Sequence, residues 1–288
     1  MIAPLYCILV PALLAGIILG LAWRIWKRRA EAADGAGYWG ALAVAAAFAG
    51  CYGLLDGWPG MPPLLAEGWL PFAAVAAVLV ALLAHLIKRG RALLWLALFV
   101  ASEFVLTARP RGSWSMLATA MWLVGGGLGS VVVLLSLNRF AEKQRGTALA
   151  LALWIWTAGT GAALALTGSL KYAQFAASVS AAMGAGVVAA WINPKISFAR
   201  GAVESLALLT LGLLLCGYLY SDLPASPALM LAVAPLSLWL AECQCVEKLA
   251  AWQRAAIRLA LMALPVAVAL LIAAWPMIFS KAAEPGYY

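Results

Sequence analysis

Residues 70–105 read LPFAAVAAVLVALLAHLIKRGRALLWLALFVASEFV. Two apolar runs flank one basic break, Lys88-Arg89-Gly90-Arg91. A bilayer core about 30 Å thick needs about 20 apolar residues at a helical rise of about 1.5 Å. Each run approaches that length, so the stretch predicts two membrane-crossing helices joined by a basic hairpin. Glu103 is the only acid in it.

The same pattern extends in both directions. Ten candidate spans run roughly over 2–23, 38–55, 69–87, 92–108, 115–138, 147–168, 172–192, 201–220, 226–243 and 255–279. The expected fold is all-α: a polytopic membrane helical bundle of about ten spans, one transmembrane domain over residues 1–288 with no soluble domain. Composition agrees. Of 288 residues 66% are apolar and 10% charged, against about 25% charged in average soluble chains. That polar share cannot cover a soluble globule. It excludes a water-soluble enzyme, a disordered chain and a disulfide-stapled secreted domain.

The charges give an orientation. The chain holds 19 Lys and Arg, and all but four (Arg109, Arg111, Lys171 and Lys281) follow odd-numbered spans. Cytoplasmic loops retain Lys and Arg, so those loops are expected inside and both termini outside. The net charge of +8 is thereby read as topology, and nucleic acid is not an expected partner. Nine of the 14 tryptophans, Trp23, Trp58, Trp114 and Trp275 among them, fall near span ends, the level indole rings favour. Asp56 to Pro63, with its prolines and glycines, is expected to form an outer turn. The first span carries its charges after the apolar run, the reverse of a signal peptide, and is expected to be retained. Five cysteines do not suggest a disulfide framework. The halves of the chain carry no convincing internal repeat.

Glu103 is the strongest candidate for chemistry. A carboxylate inside the membrane is costly and must be neutral, paired or in contact with water. One reading makes it a proton-carrying or cation-binding acid on a transport path. The other places it near enough to the outer boundary to reach water or to pair with Arg109 or Arg111. The small residues are the second signal. Gly125, Gly126 and Gly129 fall in the middle of the fifth span, and Thr157, Gly159, Thr160 and Gly161 in the middle of the sixth. These residues mark either a kinked midplane substrate path or tight three-helix packing, and the frequency of small-xxx-small spacing favours packing. Pro235 and Pro265 should kink the last two spans.

The remaining polar residues carry less. Glu204 follows Arg200 by four positions, the spacing of a helical ion pair. Glu242 ends its span beside Cys243 and Cys245, which lack the C-x-x-C spacing of a zinc site. His85 is the only histidine, too few for a haem or multi-histidine metal site. No metal, no cofactor and no paired catalytic set is expected. The functional expectation is a multi-pass protein of a bacterial inner membrane, a permease or transporter of a small or lipid-like solute. The alternative is a non-catalytic subunit, scaffold or assembly factor, with the lipid bilayer and other membrane subunits as partners.

Overall fold

The computed structural model describes residues 3–28, 36–86, 91–108, 112, 114–144, 146–194, 196–199, 201–242, 246 and 248–280. Among them there are helices and no strand. In chain order the helices are α1 (Ala3–Arg28), α2 (Ala36–Leu55), α3 (Leu70–Leu86, entered by a 3-10 turn Ala66–Trp69) and α4 (Arg91–Leu106). Then come α5 (Met116–Lys143), α6 (Thr147–Leu166), α7 (Leu170–Ile192) and α8 (Ala202–Tyr220). Last are α9 (Ala225–Val233), which passes into a 3-10 helix Ala234–Glu242, and α10 (Ala251–Ser280).

Nine helical segments among the described residues are long and apolar enough to cross a membrane. The exception to the expected ten is α4, whose 16 residues extend roughly 24 Å. The other extreme is α5, whose 28 residues extend roughly 42 Å, longer than a bilayer core. Residues 57–65 contain no helix, in agreement with the turn expected there.

The central post is α8, which packs against α2, α3, α4, α5, α6, α7 and α9. Its core side is leucine-rich, with Leu206, Leu209 and Leu213 at most 1% exposed. The helix opens at Gly201, whose φ of +138° favours glycine because it has no Cβ to clash. The fully buried Glu204 turns back to accept the Gly201 N–H, satisfying a donor that the first turn leaves over. This cap is a local role that the Arg200 spacing does not reveal, and Arg200 itself lies outside the described residues. The outer ring includes α1 and α10, the two least buried spans.

The two prolines act as more than kinks. In an α-helix the Leu231 carbonyl would accept from residue 235, and the Leu261 carbonyl from residue 265. Both positions are proline and carry no N–H. Each carbonyl is answered by a side chain from another segment. Trp156 Nε1 on α6 donates to Leu231 O at 2.7 Å. Ser237 Oγ reaches Leu261 O at 2.7 Å and its own Ala234 O at 2.7 Å. Just before Pro235, at Ala234, the winding changes from α to 3-10, whereas α10 runs on through Pro265.

Candidate functional site

A cavity of about 730 Å³ lies among α4, α5, α8 and α9. Its walls are mostly aliphatic, with Leu128, Leu211, Leu215 and Leu229 among them. Among the described residues no Lys, Arg or His is in its lining, and Glu103 is its one carboxylate. Glu103 is half-buried and accepts a hydrogen bond from Ser130 Oγ on α5 at 2.5 Å. Arg109 and Arg111, the partners in one of the two readings, lie outside the described residues, and among those described Ser130 is the hydrogen-bond partner of the carboxylate.

The glycine run of α5 divides into two roles. A Cβ at Gly126 would stand 3.0 Å from Glu103 Oε2, and one at Gly127 would stand 3.4 Å from Val100 Cγ2. These two glycines let α4 come close enough for Glu103 to reach Ser130. Gly125 and Gly129 have nothing within 4 Å of a built Cβ, and both line the cavity. The Gly125–Gly129 spacing therefore does not seat a neighbouring helix. It leaves open space.

Of the other hydroxyls in the lining, that of Thr107 is committed to its own helix. Thr107 Oγ1 bonds back to Glu103 O at 2.8 Å and Phe104 O at 3.4 Å. Trp114, Trp122 and Tyr218 form a stack with centroids 5.6 Å apart at each step, and Trp122 and Tyr218 border the cavity. Tyr220 O–H donates to Leu106 O and ties α8 to the end of α4.

The small-residue cluster of α6 lies elsewhere. Thr157 bonds its own helix at Leu153 O and Trp154 O, both at 3.1 Å, and Thr160 does so at Trp156 O, 3.1 Å. Both are at most 1% exposed. A Cβ at Gly159 would collide with Val266 Cγ1 of α10, and one at Gly161 would lie 3.6 Å from the Ala177 backbone nitrogen of α7. Thr157, Gly159, Thr160 and Gly161 thus occupy a close-packed seam of α6, α7 and α10, and none of them lines the cavity.

A second polar cluster has no counterpart in the sequence reading. Lys171 Nζ pairs with Asp56 Oδ2 at 2.6 Å and Glu67 Oε1 at 3.2 Å. Tyr172 O–H donates to Glu67 Oε2 at 3.5 Å. Glu67 is only 8% exposed. These contacts clamp the segment between α2 and α3 onto the start of α7. At the Lys- and Arg-rich end, Glu242 pairs with Lys143 at 2.7 Å, and Arg258 donates to Gln144 Oε1 at 2.7 Å. Cys243 and Cys245 lie outside the described residues, as does the side chain of His85. Among the described residues no three His, Cys, Asp or Glu are grouped to hold a metal ion.

No family model matches this chain, and neither a curated protein nor a solved structure does.

Proposed function

We propose that this chain is a multi-pass carrier of a small, largely apolar, lipid-like solute in a cytoplasmic membrane. One observation carries the reading: an apolar cavity within the bundle holds, among the described residues, a single carboxylate, Glu103, fixed by Ser130 and given room by Gly126. Small-molecule sites are concave, mostly apolar and furnished with a few placed polar groups. Intramembrane acids mark solute and proton pathways. The lining offers a strongly polar solute few partners and an alkyl body many.

The functional test fills the cavity without disturbing the bundle. Gly129→Phe places a ring where nothing stands within 4 Å of the Cβ. In vesicles holding the wild-type chain, a short-chain fluorescent lipid should cross between leaflets faster than in protein-free vesicles. Gly129→Phe should lower that rate at least about tenfold, a barrier increase of about 1.4 kcal/mol, while the protein still elutes as a single species. An unchanged rate in the variant sinks the carrier reading.

Ten crossings with both ends outside complete the proposal, α4 being the tenth. In a cysteine-free background, Gly112→Cys should react with an impermeant maleimide from outside intact cells. Arg28→Cys and Arg145→Cys should react only after permeabilisation. Labelling of positions 28 and 145 on opposite faces contradicts the topology.

The alternative, a subunit or scaffold, draws on the ring of the bundle. Leu13 and Ile17 of α1 are 63% and 58% exposed, and Leu271 and Trp275 of α10 are 63% and 61% exposed. Partner helices and lipid tails would cover such faces equally well.

A further inference from the structure

We infer that the cavity selects amphiphiles whose polar end is a protonated amine, with Glu103 as the counter-ion and the aliphatic walls holding the chain. The inference rests on the carrier reading above and names its substrate class.

The argument begins with unmet capacity at one carboxylate. An ionised carboxylate offers about four lone-pair sites. Glu103 uses one of its oxygens, Oε1, for the Ser130 hydroxyl. The other, Oε2, lies over Gly126, and no described side chain donates to it. Ser102, adjacent in sequence, shares the lining, and Thr107, one turn on, is spent on its own helix.

Charge points the same way. A carboxylate in an apolar surround is stabilised by an opposite charge that also hydrogen-bonds it. Among the described residues the lining contains no Lys, Arg or His, so an occupant can supply that cation. An ammonium brings a positive charge and up to three donors. A fatty acid would meet like charge. A fatty alcohol would bring one donor and no charge. The Trp122 and Tyr218 rings, which border the same space, also tolerate a cation because aromatic faces are electron-rich.

Gly126 is a positioning residue in this scheme. A methyl group there would press on Glu103 Oε2 from 3.0 Å and shift the carboxylate that receives the amine.

The test uses the full chain in lipid vesicles and three photoreactive probes. All three share one diazirine-bearing alkyl chain and differ in the head: amine, hydroxyl or carboxylate. After illumination, labelled peptides from α5 and α9 are counted by mass spectrometry. In the wild type the amine probe should label these walls about tenfold more than either other head, the ratio expected when a charge-assisted hydrogen bond is made in place of a neutral one. Glu103→Gln, whose amide oxygen still accepts from Ser130, should bring amine labelling down to the alcohol level without abolishing it. Ser130→Ala should keep the amine preference. A single elution peak and an unchanged melting temperature certify the variants, and the wild-type comparison needs no variant at all.

Equal labelling by the three heads in the wild type overturns the amine inference and leaves the carrier reading standing. A preference that survives Glu103→Gln overturns it as well. Absence of label on α5 and α9 from every probe overturns both.

Discussion

Replacing Lys171 with methionine is expected to lower the unfolding free energy by about 2–3 kcal/mol, because removing one partner of a buried ion pair leaves its carboxylate uncompensated. Two carboxylates depend on this lysine, at 2.6 Å for Asp56 and 3.2 Å for Glu67. The side chain of Glu67 is 11% exposed, so water replaces the lost cation poorly. The lysine itself is 39% exposed, which places the effect below that of a fully buried pair. Unfolding by detergent titration provides the measurement. The Glu67→Gln, Lys171→Met double variant should recover about half the loss, since only Asp56 then stays charged. A Lys171→Met chain within about 0.5 kcal/mol of wild type would place this cluster with ordinary surface pairs.

Trp156→Phe is expected to cost about 2 kcal/mol, the range for a buried acceptor left without its donor. The acceptor is the Leu231 carbonyl, which has no α-helical donor because residue 235 is proline. In an apolar surround no water can take over. Pro235→Ala restores an N–H four residues on, so Trp156→Phe in that background should cost less than about 1 kcal/mol. The loss of ring volume is common to both backgrounds, so the cycle isolates the hydrogen bond. Equal costs in the two backgrounds would show that Trp156 acts by packing alone.

Both results depend on features that are half visible in the sequence. The helices are legible because a membrane demands long apolar runs, and each expected span coincides with a helix or a helix pair to within a few residues. Glu103 is legible as a lone acid, and Gly125 to Gly129 as a cluster without side chains. Their meeting is not legible, because Ser130 stands 27 residues away on a different helix. The walls of α8 and α9 carry no polar mark but Tyr218, and Leu211 or Leu229 read like any other leucine. Thr157 and Thr160 fail for a different reason. A hydroxyl that bonds the carbonyl one turn back and one that greets a solute are the same letter. Pro235 announces a break in the winding, but nothing near it in the chain names Trp156 as the group that repairs it. The Lys171–Glu67 pair joins residues 104 positions apart, beyond the reach of any local pattern.

The change of winding at Ala234 also alters how far its segment extends. Nine residues of α-helix and nine of 3-10 helix, at rises of about 1.5 and 2.0 Å, together reach roughly 31 Å, where 18 purely α-helical residues would stop near 27 Å. The tighter coil lengthens the rod without adding a residue, so this short segment keeps pace with longer neighbours.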